Sequence, residues 1–148
     1  MIVMVVLLLS IYYYSLVWHL TFYVNRFFLL GGMILEGPGF EAHSDGDIIL
    51  HSLSDALLGS KAKKDLGFYF PSDESTPKNI SSVEMLNKVL EIIEYDKVVI
   101  NNIDITVLSQ VINISKISEA IISNLADLLR IDEQLINVKG KSFDNLGV

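Results

Sequence analysis

Two of the three histidines, His43 and His51, share a thirteen-residue stretch with Ser44, Asp45, Asp47 and Asp55. An α-helix turns once per 3.6 residues, so on a helix Asp47, His51 and Asp55, four apart, share one face. A neutral imidazole at His51 suits a divalent metal ion. His43 and Ser44 lie just before that helix, where free backbone N–H groups and the helix dipole favour an anion such as phosphate. The same residues also fit a plainer reading, in which Ser44 only caps, Asp47 favours the first turn and His51 is at the surface. A single helix histidine is not a zinc site, because catalytic zinc takes three protein ligands and an open position.

The elements that would hold these groups can be read from periodicity. Ser44 and Asp47 have capping-box spacing, and Ile48, Leu50, Leu53, Leu57 and Leu58 give an apolar face, predicting a helix over residues 47–62. Residues 67–79 carry Pro71, Pro77 and several hydroxyl side chains, the composition of an exposed loop. Ser81 and Glu84 open a second helix with Val83, Leu86, Leu90 and Ile93 at helical spacing. Residues 98–108 alternate as a strand. Residues 116–130 read as a third helix with Ile117, Ala120, Ile121, Leu125 and Leu128 inward, and residues 135–139 as a short strand. Gly31-Gly32 and Gly37-Pro38-Gly39 punctuate a short apolar piece, Met33-Ile34-Leu35. The order β–α–α–β–α–β predicts an α/β (α+β) domain, a mixed sheet with helices packed on one face.

Composition narrows the function classes. The 148 residues make one domain. Eighteen acidic against eleven basic side chains give a net charge of −7, a poor start for a nucleic-acid binder. With no cysteine, disulfides, thiol chemistry and Cys-ligated zinc are excluded. The first 25 residues carry no Lys, Arg, Asp or Glu, whereas from Glu36 onward there are ten basic and eighteen acidic residues. Residues 1–28 therefore read as an apolar leader and 29–148 as the domain. An uncharged run of about 20 apolar residues can span a bilayer, so the leader is a membrane anchor or signal, a buried strand or helix, or a wrongly assigned start. Membrane contact depends on the leader being real.

The string Ala-His-Ser-Asp-Gly-Asp…His…Asp-Ala-Leu-Leu-Gly, followed by Asp-Leu-Gly and Phe-Pro, resembles the signature of the 2-C-methyl-D-erythritol 2,4-cyclodiphosphate synthase family of the non-mevalonate isoprenoid pathway. The likeness runs from about Leu29 to Val148 and takes in the closing INVKGKSFDNLGV. It implies a phosphorus–oxygen lyase acting on 4-diphosphocytidyl-2-C-methyl-D-erythritol 2-phosphate, whose 2-phosphate attacks the β-phosphorus and expels CMP. It further implies a homotrimer with active sites at subunit interfaces, a zinc-type divalent ion and a second, magnesium or manganese. A plastid-type organelle or the bacterial cytoplasm would be its compartment.

Carried over by motif, His51 matches the metal-binding histidine. His43 and Ser44 match the pair contacting the phosphates, with His43 also a transition-state stabiliser. Asp65, Leu66 and Gly67, then Phe70, Pro71, Ser72, Asp73 and Glu74, match the segments that hold the methylerythritol part. Ser72 stands where the family often has Asp. Residues 109–115, beginning at Ser109, match the cytidine loop, with Val111-Ile112-Asn113 in place of Ala-Pro-Lys and Lys116 nearby. Ser142 falls at a catalytic Thr, Asp144 at a magnesium-binding Glu, and Val148 near the last shared substrate contact. The family draws its other two zinc ligands from a Gly-x-Gly-x-Asp-x-His strand, where this chain has an apolar run with His19 alone. It also continues past Leu-Gly-Val. The expectation is a domain incomplete at both ends, with a catalytically dead remnant or a membrane-tethered interaction domain as the rival readings.

Overall fold

The computed structural model describes residues 6–10, 27–36, 46–74, 76–77, 80–109 and 112–142. Strands β1 (Val6–Ser10), β2 (Phe27–Leu30) and β3 (Met33–Glu36) precede helix α1 (Ile48–Ser60) and the one-turn helix α2 (Leu66–Tyr69). Helix α3 (Ser82–Ile92), strand β4 (Ile103–Leu108), helix α4 (Ser118–Leu129) and strand β5 (Ile136–Lys141) complete the order.

β2 and β3 form an antiparallel hairpin closed by Gly31 and Gly32, whose φ angles are +64° and +80°. Two successive positive φ values match the right-handed twist of the strands and favour glycine at both positions. Space demands glycine as well: a Cβ on Gly32 would lie 2.5 Å from the Asn124 side-chain nitrogen, and one on Gly31 would lie 2.8 Å from Ile121 Cγ2. The turn is fastened from two sides. The fully buried Asp47 accepts hydrogen bonds from Gly31 N at 2.9 Å, Gly32 N at 2.5 Å and Leu50 N at 3.0 Å. Asn124 on α4 donates to Gly31 O at 2.6 Å.

α1 packs on α3, and its buried face is Ile49, Leu50, Leu53, Leu57 and Leu58. Ile48 is half-buried and Ile49 takes its inward place, because the helix begins at Ile48, with Asp47 as its cap. α3 begins in the expected capping box, Ser81 with Glu84. Met85, Leu86, Val89 and Ile93 are its buried side chains, with Val83 and Leu90 half-buried beside them. α4 buries Ile121, Leu125, Ala126 and Leu129; Ala120 is exposed and Leu128 only half-buried. The inward stripe of α4 is thus rotated from the expected one, to the face that meets β5.

β4 lies between β1 and β5, parallel to both. Strand content is thus divided between a parallel sheet and a hairpin, and the α/β class stands. β1 falls inside the apolar leader and pairs Val6 with Asp104 through Ser10 with Leu108. Among the described residues, no helix is long and apolar enough to cross a membrane. The strand expected over 98–108 starts only at Ile103, since Tyr95–Lys97 form a 3-10 turn that ends the α3 region first. Ile103, Ile105 and Val107 face the core and register with Ile136, Val138 and Gly140.

On the opposite face, Asp104 accepts from Lys139 Nζ at 2.6 Å and from Asn137 Nδ2 at 2.8 Å. The hydrogen bond from Lys139, with a smaller one from Asn137, holds the Asp104 carboxyl below its ordinary range. A carboxyl depressed in the folded state adds stability above the unfolded pKa and loses it as pH falls through the folded one. Lys139→Met should therefore lower the urea midpoint at neutral pH by at most about 1 kcal/mol of stability, since the pair is solvent-screened. The deficit should shrink as pH falls through the lowered folded-state pKa and vanish below it, where the carboxyl is protonated in either state. Asp47→Ala should cost far more, roughly 3–5 kcal/mol in the same measurement, because it leaves several buried donors without an acceptor.

Candidate functional site

His51 sits one turn into α1, half-buried rather than surface-exposed, with its backbone N–H donating to Asp47 O at 3.0 Å. The helix begins later than the capping-box spacing suggested. Asp47 itself is the N-cap, in extended conformation, so its side chain serves the hairpin turn and the first helical turn. Gly46, with φ +74°, leads into that cap. Four residues beyond His51, Asp55 accepts from Leu66 N at 2.6 Å. Only His51 and Asp55 lie on α1; Asp47 precedes the helix as its extended cap and is fully buried, so the single shared face expected of the three is not formed, and both carboxylates are engaged with backbone amides. One imidazole stands between two anchors.

Asp65, Leu66 and Gly67 come next, brought back to α1 by a tight reversal. Lys61 N and Lys63 N both donate to Leu58 O, at 3.1 and 3.0 Å, and Ala62 takes a left-handed φ of +51°. Asp65 then caps α2, accepting from Phe68 N at 2.9 Å. The expected loop over 67–79 thus contains a helical turn, because a capping aspartate precedes Leu66, which is buried and anchors it. Phe68 is 63% exposed, and Tyr69 meets it edge-on with ring centroids 5.2 Å apart. Phe70 and Pro71 are half-buried; Ser72, Asp73 and Glu74 are exposed.

Ser109 and Ser142 are brought together by strand register. β4 and β5 run parallel with Leu108 opposite Lys141, so each serine is the next residue past its strand. Ser109 N donates to Lys141 O at 2.9 Å, which carries the pairing one step further. The Ser109 hydroxyl accepts from Ile112 N at 2.9 Å and folds the loop after it back. Gly140 allows Ile114 to close in, since a Cβ there would lie 2.9 Å from Ile114 Cβ. Ligands of open α/β sheets bind outside the carboxyl ends of parallel strands, and both serines stand at that edge.

His43, Ser44 and Asp144, and with them His19, Val111 and Val148, lie outside the described residues. Among the described residues, no three His, Asp or Glu side chains gather as a metal set. His51 alone does not fit a catalytic zinc ion, which takes three protein ligands. Sequence reasoning missed Asp55 as a backbone acceptor and Asn124 as a tie on the hairpin. The Asp47–His51–Asp55 spacing located the first, whereas the second joins residues 93 apart and leaves no local signal.

The profile of the YgbB family matches residues 17–148. The 2-C-methyl-D-erythritol 2,4-cyclodiphosphate synthase of Petrotoga mobilis is 41% identical over 128 residues, which cover 84% of this chain and 78% of that protein. The apicoplast enzyme of the same name from Plasmodium falciparum is 41% identical over 119 residues, 80% of this chain and 50% of its own length. Among solved structures, the Plasmodium falciparum IspF complex with CDP superposes with a TM-score of 0.71 at 38% identity, covering 83% of this chain and 74% of that one. The bifunctional IspDF of Campylobacter jejuni gives a TM-score of 0.76 at 37% identity, covering 83% of this chain and 34% of that one. With the signature residues on α1 and the loop after it, and with a family profile that spans most of the sequence, the chain belongs to the YgbB family.

Proposed function

We propose that this chain is a 2-C-methyl-D-erythritol 2,4-cyclodiphosphate synthase, a phosphorus–oxygen lyase acting on 4-diphosphocytidyl-2-C-methyl-D-erythritol 2-phosphate. The observation that carries the reading is the β4–β5 register, which sets Ser109 and Ser142 side by side at the carboxyl edge of the sheet. Family membership supports reading that edge as part of the substrate site. A relative in this family has been solved with CDP bound, which suits a cytidine diphosphate-linked substrate.

In the reaction, an oxygen of the 2-phosphate bonds to the β-phosphorus while the bond from that phosphorus to the bridging oxygen breaks. The electron pair leaves with CMP. Such a displacement needs in-line placement more than a covalent nucleophile. The loop that starts at Ser109 receives the cytidine end. Ser142, exposed one residue past β5, donates its hydroxyl to the diphosphate. Asp65, with Leu66 and Gly67, holds the methylerythritol hydroxyls, and the segment from Phe70 and Pro71 to Ser72, Asp73 and Glu74 closes over that end. His43 and Ser44 belong to the phosphate contacts in this reading, and Asp144 to a magnesium or manganese ion. His51 contributes one ligand to a zinc-type ion, for which the described residues do not supply the full set. The working unit is a homotrimer. Its relatives come from bacteria and from an apicoplast, so the compartment is a plastid-type organelle or the bacterial cytoplasm.

Incubating the purified full chain with the diphosphocytidyl substrate, zinc and magnesium should yield CMP and a cyclic diphosphate in equal amounts, monitored by phosphorus NMR. Substrate left intact would refute the activity. In zinc titrations, His51→Ala should weaken binding by more than about 100-fold, beyond the loss of an outer-shell partner. Equal zinc affinity in variant and parent would remove His51 from the metal site.

A further inference from the structure

The carboxylates four residues before and four residues after His51 are both spent on backbone amides, and that division has a geometric consequence. Asp55 stands one helical turn past His51 and accepts from Leu66 N at 2.6 Å. Leu66 is the first residue of α2 and is buried; its neighbours Asp65 and Gly67 are exposed. The connection between the helices is short and closed, through Lys63 N to Leu58 O and the left-handed Ala62. This reversal fixes where the chain leaves α1. The buried Leu66 side chain anchors α2 against the core, and the Asp55–Leu66 bond adds a directed tie from α1 to the first residue of α2.

We infer that Asp55 is a positioning residue, which holds the Asp65–Leu66–Gly67 segment at a set distance from His51 through one rigid helix. The inference rests on the functional reading above only for what the segment binds. A carboxylate four residues from the imidazole makes α1 a ruler between the phosphate end of the site and the polyol end. A side chain of this reach is needed at position 55, because only a carbonyl-type oxygen there meets the Leu66 amide. Charge is secondary, since an amide oxygen could accept the same bond.

Two variants of the full chain separate these contributions. In Asp55→Ala, exchange of the Leu66 amide with solvent should quicken by about fivefold or more, as expected from loss of a bond of this class. Exchange along α3 and β5 should stay unchanged. Asp55→Asn, which keeps the acceptor, should restore most of the protection. With the diphosphocytidyl substrate, Asp55→Ala should raise KM about fivefold with kcat within about twofold, the pattern of lost ground-state binding. Zinc affinity should remain that of the parent. Unchanged Leu66 exchange in Asp55→Ala would overturn the assignment, and so would exchange quickened equally throughout the chain. A parent chain that turns over no substrate would defeat the functional reading alone, and the exchange measurement would still decide the role of Asp55.

Discussion

A carboxylate taken wholly out of water is tolerated only where donors replace its hydration, and the fully buried Asp47 organises the fold by meeting that demand. Its two oxygens accept from Gly31, Gly32 and Leu50, so one side chain ties a hairpin turn to the start of α1. The hairpin cannot shift without stranding a buried charge, and neither can the helix. Asn124 reaches the same turn from α4 through Gly31 O. Two distant helices are thereby referred to one pair of glycines. The position of His51 depends on that point, because the imidazole sits one turn from the cap on a helix that has no freedom to slide.

Most of this architecture was legible in the residues. The capping box at Ser81 and Glu84, the apolar spacing of α1 and the alternation through Ile103, Ile105 and Val107 each express one local rule, and the structure obeys them. The shifts came where tertiary demands decide between adjacent residues. Ser44 and Asp47 are both good caps by type; the glycine turn that Asp47 serves selects it, and no local rule shows that turn. Likewise Leu66 starts a helix inside a loop-like composition because its burial anchors the turn that Asp65 caps. The inward face of α4 turns on which side meets β5, a contact far away in sequence.

The site was legible in a different way. Spacing predicted one face for Asp47, His51 and Asp55, of which α1 carries the last two, and left open what they do there. Resemblance named the roles of Asp65, Ser109 and Ser142, but their proximity is a matter of register. Ser109 and Ser142 are 33 residues apart, and only parallel pairing of Leu108 with Lys141 makes them neighbours. A shift of one residue in that ladder would turn the core-facing Ile103, Ile105 and Val107 outward. The burial of that face therefore protects the arrangement of the edge.

The charge balance bears on how a polyanionic substrate is held. Lys139 is committed to Asp104, Lys88 to Glu91 and Lys97 to Glu94, so three lysines already have carboxylate partners. Lys141 ends β5 beside Ser142, and Lys116 ends the 3-10 turn Ile114–Lys116; both are exposed near the carboxyl edge of the sheet. Lys141 directly precedes Ser142, and Lys116 stands only three residues past Asn113, where the family pattern has its lysine. Solvent screens such exposed charges, so under the proposed function they would attract a diphosphate to the edge more than fix it. In the proposed reading, fixing falls to groups with set directions: the hydroxyl of Ser142, the loop turned by Ser109, and the segment that Asp55 draws back to α1. A chain with net charge −7 can in this way take an anionic substrate, because the sites of capture are local and the repulsion is diffuse.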